Sequence, residues 1–136
     1  MIITREYRDS DLNEVNTILK ETFDIEKKNF ELDKFHEIVV TLDDKVCGYL
    51  LMTKVLNPIL NKYYYLLDYV SVLSEYRGKG IGTKLLEYAE EIAKEENAIY
   101  IQLTCGYKRV EAHKLYEKNG YIKRESDVFR KELVWY

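Results

Sequence analysis

One proline, Pro58, serves the whole chain, and cysteine appears only as Cys47 and Cys105. Each scarcity excludes something. Two cysteines so far apart fit no CxxC or metal-ligand spacing, so no metal is expected and both read as buried thiols of a reducing compartment. Long hydrophobic runs are also missing: nothing approaches the ~18 apolar residues of a membrane span. No signal-peptide pattern precedes the first strand-like segment, and the expected location is cytoplasmic, away from membranes. Charge of one sign is missing too. With 21 Lys and Arg against 24 Asp and Glu the net charge is -3, which argues against an overall basic surface for holding nucleic acid. No repeat, linker or low-complexity tract interrupts the chain.

What is present is an ordinary globular balance, 46% hydrophobic and 33% charged over 136 residues. That length favours one domain, residues 1–136, which on folding buries roughly two thirds of its surface. "MIITREY" reads as a strand, and Ser10 or Asp11 caps a helix with Leu12, Val15, Ile18, Leu19 and Phe23 on one face. Residues 24–35 are polar and poorly periodic, suiting a short helix flanked by loops. "HEIVVTL" and "VCGYLLMTKV" are strands joined by a hairpin at Asp43-Asp44-Lys45, and Asn57-Pro58 ends the pair. "KYYYLLDYVSVL" is a third long strand, rich in tyrosine and β-branched residues. Ile81, Leu85, Leu86, Ala89, Ile92 and Ala93 form a helical stripe, "AIYIQLTC" a strand, and "VEAHKLYEKNG" a helix stopped by Asn119 and Gly120. "YIKRES" and "VFRKELVWY" are expected to close the chain as an antiparallel pair. The order β-α-(α)-β-β-β-α-β-α-β-β defines an α/β (α+β) domain with a mixed sheet.

The densest signal is "EYRGKGIGTKL", where Gly78, Gly80 and Gly82 spend three of the six glycines at a helix start. The first N–H groups of a helix lack internal partners and carry partial positive charge, and glycines let phosphate oxygens approach them. Arg77, Lys79 and Lys84 crowd that start, while Glu90, Glu91, Glu95 and Glu96 sit in the second half. This charge order opposes the helix dipole, by roughly 0.3–1 kcal/mol per charge. It makes sense if an anion sits at the start. A Walker A loop is excluded, because no GK[ST] occurs, and a Rossmann fingerprint fails at Thr83, where its third glycine belongs.

Arg77-Gly78-Lys79-Gly80-Ile81-Gly82 resembles the R/Q-x-x-G-x-G/A segment of the GNAT N-acetyltransferase superfamily, and "RVEAHKLYEKNGY" resembles that family's A-x-x-L/F-Y-E-K-x-G-F/Y helix and turn. The two segments stand in the family's order, one helix and one strand apart. The resemblance implies the GNAT fold, a mixed, mostly antiparallel sheet with helices on both faces. It also implies transfer of the acetyl group of acetyl-coenzyme A to a primary amine, by direct attack in a ternary complex. Arg77, Gly78, Lys79, Gly80, Ile81, Gly82 and Thr83 would hold the pyrophosphate, and the backbone of Val70, Ser71 and Val72 the pantetheine arm. Tyr116 matches the tyrosine whose hydroxyl faces the thioester sulfur. Many members carry asparagine where this chain has Arg109, which is expected to contact coenzyme A phosphate or substrate. His113 belongs to the same pattern, as a packing, orienting or catalytic residue.

An attacking amine must be neutral, and a lysine-like amine of pKa ~10.4 is so only about once in 10³ at pH 7. Asp68 is the candidate base, at a strand position where the family often places an acid; direct action would require burial to raise its pKa. A backbone N–H of Val70 to Val72 is the candidate oxyanion donor. Acceptor contacts are expected from Phe23 and Asp24, with Glu21, Glu26, Asp127 and Phe129 nearby in the same segments. Acids mixed with aromatics suit a small cationic amine such as a polyamine or an aminoglycoside-like sugar, and a protein N-terminus or lysine stays open. The rival reading is a non-catalytic acyl-coenzyme A sensor that kept the loop and lost turnover. Trp135 and Tyr136 either cap the core or seed a homodimer contact, the second being the expectation.

Overall fold

The protein is described here by a computed structural model covering residues 1–29 and 35–134. Five strands form one sheet in sequence order: β1 (Ile2–Glu6), β2 (Phe35–Leu42), β3 (Lys45–Asn57), β4 (Lys62–Val72) and β5 (Ile101–Leu103). The first four pair antiparallel, and β5 lies parallel to β4. Helix α1 (Leu12–Phe23) follows β1, α2 (Ile81–Glu95) makes the crossover from β4 to β5, and α3 (Val110–Lys118) follows β5.

Burial on both faces explains the unbroken apolar run in β2. Ile38 and Val40 pack with Leu50, Met52, Leu85 and Ala89 beneath α2, while Val39 packs with Val15, Ile18, Leu19 and Tyr49 beneath α1. Consecutive residues of a strand point to opposite faces, so a strand covered on both sides must be apolar throughout. The expected stripe of α2 is the face that meets the sheet, with Ile81, Leu85 and Leu86 almost wholly buried. Gly48 of β3 lets it come close: a Cβ there would stand 2.7 Å from Ile81 Cγ2 and 3.3 Å from Leu85 Cδ1.

The expected hairpin is present. Asp43 and Asp44 both take positive φ, 49° and 67°, the two-residue turn whose twist matches the flanking strands. Between β3 and β4, Asn57 Oδ1 accepts from the backbone N–H of Ile59 (3.1 Å) and Leu60 (3.2 Å), so Pro58 sits in a side-chain-braced turn. At the start of α1, the buried Asp11 carboxylate accepts two hydrogen bonds from the Arg5 guanidinium (2.8 and 2.9 Å) and one from the Arg8 N–H.

Three expectations are corrected. Residues 121–134 form no strand, so the closing antiparallel pair is absent from the described chain. β5 has only three residues, shorter than expected for "AIYIQLTC". The apolar side chains that suggested a final strand, Val128, Phe129, Leu133 and Val134 among them, are exposed instead. Residues 25–29 have no regular structure where a short helix was expected, and residues 30–34, like Trp135 and Tyr136, lie outside the described residues.

Candidate active site

β4 breaks its regularity at one point. Leu51 pairs with Asp68 but Tyr49 pairs with Ser71, so Tyr69 and Val70 together oppose Leu50 in a β-bulge. Tyr69 takes φ 57°, left-handed backbone that a bulky side chain rarely adopts. The Ser71 hydroxyl donates to the Tyr69 carbonyl at 3.0 Å and braces the bulge. Pairing with β5 stops at Leu67, just before it. Beyond that residue β4 still pairs with β3 through Val72, but its other edge meets no strand among the described residues.

A cavity of about 240 Å³ opens at this fork. Leu67, Asp68, Tyr69 and Val70 line it from β4, and Leu103 and Thr104 from the end of β5. Phe23 reaches it from the end of α1, Arg109 and Tyr116 from α3 and its N-cap, and Arg130 from the C-terminal segment. Four residues singled out in the sequence, Phe23, Asp68, Arg109 and Tyr116, thus line one cavity. Asp24 does not join them: it caps α1 in left-handed conformation and pairs with Lys20 at 2.6 Å. Glu21 is also engaged elsewhere, accepting the Ser74 N–H at 2.7 Å.

Tyr116 is 8% exposed, and its ring meets Tyr121 edge-on at 6.0 Å. Burial, with a smaller push from the Cys105 thiol and an opposing pull from Arg109, raises its hydroxyl pKa to about 12. Asp68 is exposed at the cavity, so the protein alone does not give it the burial that direct action as a base calls for. The Arg109 guanidinium lies 5.5 Å above the Phe23 ring, and Phe23 meets Tyr69 edge-on at 5.4 Å. The Arg109 N–H donates to the Gly106 carbonyl, and His113 Nε2 donates to that same carbonyl at 2.8 Å. His113 therefore orients the turn that presents Arg109 and stands outside the cavity lining.

The glycine segment divides by role. Gly78 and Gly80 take φ 77° and 78°, with open space where a Cβ would stand, and Gly80 is the N-cap of α2. No side chain hydrogen-bonds at that cap and no acid lies in the first turn. Arg77, Lys79 and Lys84 form no ion pair among the described residues, although Lys79 stands 5.6 Å over the Tyr76 ring. These features fit a bound pyrophosphate: free amides, positive charge and no competing carboxylate. Ile81 and Gly82 can offer only backbone, because the Ile81 side chain is buried in the core and a Cβ on Gly82 would stand 2.8 Å from Leu115 Cδ2. Gly82 therefore seats α3 against α2. The Thr83 hydroxyl accepts from Asn119 Nδ2 at 3.3 Å, which leaves its own proton available to an anion.

Sequence reasoning missed Tyr69 and Arg130. A left-handed tyrosine in a bulge carries no composition signal, and Arg130 was read as part of a strand that does not form. No group of three or more His, Cys, Asp or Glu suited to a metal occurs among the described residues. Nor is any helix among them long and apolar enough to cross a membrane.

The sequence matches the Acetyltransferase (GNAT) family over residues 3–121, and the chain belongs to that family. A 50-residue stretch is 42% identical to aminoalkylphosphonate N-acetyltransferase of Salmonella typhimurium, covering 37% of this chain and 32% of that protein. The matched stretch thus spans about a third of the length of the curated relatives. Among solved structures, a putative acetyltransferase from Agrobacterium tumefaciens superposes with a TM-score of 0.85 at 19% identity, covering 96% of this chain and 99% of the other. A protein from Bacillus halodurans described as a transcriptional regulator superposes at 0.86 with 22% identity, covering 98% and 100%. At such identities these likenesses establish the fold.

Proposed function

We propose that this protein transfers the acetyl group of acetyl-coenzyme A to the primary amine of a small acceptor, by direct attack within a ternary complex. The observation that carries this reading is the fork at the β4 bulge, where Asp68 and Tyr116 share one cavity beside an uncapped helix start. The family and the named activity of the Salmonella relative support it. Bound acetyl-coenzyme A would supply an acetyl group activated as a thioester. Backbone N–H groups from Gly78 to Thr83 would hold its pyrophosphate, with the Arg77 side chain adding charge because its own N–H already donates to the Ser74 carbonyl, and the free edge of β4 at Val70, Ser71 and Val72 would hold its pantetheine arm.

Overall, a C–N bond forms and a C–S bond breaks. The ammonium of the acceptor loses two protons to solvent and the departing thiolate takes one back, so that one proton is released in all. Asp68, exposed at the cavity, would hold the ammonium and pass a proton to water rather than act from a buried pocket. Tyr116 would donate a hydrogen bond to the departing sulfur. With its pKa about 12 against a thiol near 8.5, complete proton transfer is uphill by roughly 5 kcal/mol. The hydroxyl therefore stabilises the thiolate without ionising, and the proton on the thiol comes from solvent.

Cys47 and Cys105 are both free thiols, which suits a reducing cytoplasm. The exposed Val128, Phe129, Leu133 and Val134 favour a homodimer contact. Calorimetry with acetyl-coenzyme A, together with a thiol-release assay over a panel of amines, tests the proposal. Saturable uptake with amine-dependent release is expected. Uptake without transfer to any amine would make the chain a sensor, and no uptake by folded protein would end both readings.

A further inference from the structure

The cavity reverses the sign of the molecule. The chain carries a net charge of -3, yet two guanidinium groups, Arg109 and Arg130, face the cavity against one carboxylate, Asp68. Arg109 forms no ion pair among the described residues, and Arg130 only a 3.6 Å contact with Glu132 two positions on. None of the four acids whose sequence positions suggested a small cationic acceptor, Glu21, Asp24, Glu26 and Asp127, lines the cavity, and two are engaged elsewhere: Glu21 holds the Ser74 N–H and Asp24 holds Lys20. A polyamine would have to press a second ammonium against two arginines.

We propose that the acceptor is a small zwitterion, a primary amine carrying a carboxylate or phosphonate, with its oxyanion bound by Arg109 and Arg130 and its amine directed at Asp68. This rests on the acetyl-transfer reading and narrows its substrate. Arginine suits the task because its planar fork meets a carboxylate or phosphonate with paired hydrogen bonds. Arg109 is held ready for it: Phe23 supports the guanidinium at 5.5 Å, Tyr69 supports Phe23, and the Gly106 turn fixes the backbone. Coenzyme A does not need these two groups for its pyrophosphate, since Arg77, Lys79 and Lys84 stand free at the helix start and none of them lines the cavity. Size agrees. A cavity of about 240 Å³, below the roughly 300–1,000 Å³ of pockets that enclose drug-sized ligands, suits a short acceptor.

The test compares kcat/KM for 3-aminopropanoate and 2-aminoethylphosphonate with that for propylamine and spermidine. At least a tenfold preference for the zwitterions is expected, and the ranking of the two zwitterions identifies the oxyanion. Arg109→Gln and, separately, Arg130→Gln should reduce the preference to less than threefold, mainly through KM. Arg109→Lys should restore part of it, and Lys94→Gln, a charge-matched change on the outer face of α2, should keep it whole. Circular dichroism checks folding, and Arg130 on its exposed segment serves if Arg109 variants fail to fold. Equal or better use of propylamine or spermidine would overturn the proposal while leaving acetyl transfer intact. If acetyl-coenzyme A binds but no amine is acetylated, the transfer reading fails, and titration of 3-aminopropanoate and 2-aminoethylphosphonate into the coenzyme A-loaded protein decides. Uptake abolished by Arg109→Gln sustains the oxyanion site, and no uptake of either overturns it.

Discussion

Tyr116 owes its chemistry to where it sits. Burial that holds its pKa near 12 keeps the hydroxyl protonated through the whole range in which enzymes are assayed. Any basic limb of the rate profile below about pH 11 must then belong to another group, and Tyr116→Phe should leave the shape of that profile unchanged. The same substitution should lower kcat roughly 10²-fold, the lower end of what one positioned proton-bearing group contributes. Acetyl-coenzyme A affinity should change less than twofold by calorimetry, because on the proposed binding mode the pyrophosphate would sit on backbone some residues away. Of the residues around the cavity, Tyr116 and Asp68 were legible from motif and strand position. Tyr69 was not, because what matters is its backbone angle, and that is set by the register mismatch between β3 and β4.

At the scale of elements, the packing of α3 on α2 runs through a single small residue. A methyl group on Gly82 would gain roughly 1 kcal/mol of helix propensity, but it would meet Leu115 Cδ2 at 2.8 Å, and overpacking costs about 1–3 kcal/mol. Gly82→Ala should therefore lower the unfolding free energy by about 1 kcal/mol in urea titrations. It should also raise KM for the acceptor as α3 shifts Arg109 and Tyr116. Shortening the partner, as Gly82→Ala with Leu115→Ala, should recover the kinetic part. Sequence reading took all three glycines of the loop as one anion device. Gly78 and Gly80 have the left-handed backbone and open space that this reading calls for, whereas Gly82 is also fixed by packing against a leucine 33 positions later in the chain.

For the whole molecule, stability should fall at both ends of the pH scale for reasons visible in the fold. Burial alone would raise the Asp11 pKa, but its bonds to Arg5 and the Arg8 N–H bring it below the usual carboxylate value. A depressed folded pKa means that the clamp stabilises fully above an unfolded value of about 3.9 and is lost as pH falls through the folded one. Asp11→Asn should flatten that acid limb of the unfolding curve and cost about 2 kcal/mol at neutral pH, since a part-buried guanidinium loses its charged partner. Tyr49, Tyr116 and Tyr121 are shifted the other way, chiefly by burial. Their contribution is complete below the unfolded tyrosine value near 10 and is lost as pH rises towards the folded values. Chemical denaturation above pH 10 should show stability declining with uptake of fewer protons by the unfolded chain. Light scattering should give a mass twice the 16.3 kDa of one chain if the exposed C-terminal apolar residues meet a second copy.

Periodicity and turn chemistry in the sequence determined β1 to β4, the three helices, the hairpin at Asp43-Asp44 and the glycine-rich start of α2. All of these rest on contacts between near neighbours or on backbone preferences that each residue carries with it. Tertiary structure alone decided the bulge at Tyr69, the fork between β4 and β5, the loss of the closing strands, and the cavity that Arg109 and Arg130 both line. Each of these depends on how strands distant in sequence come into register, which a linear pattern does not encode.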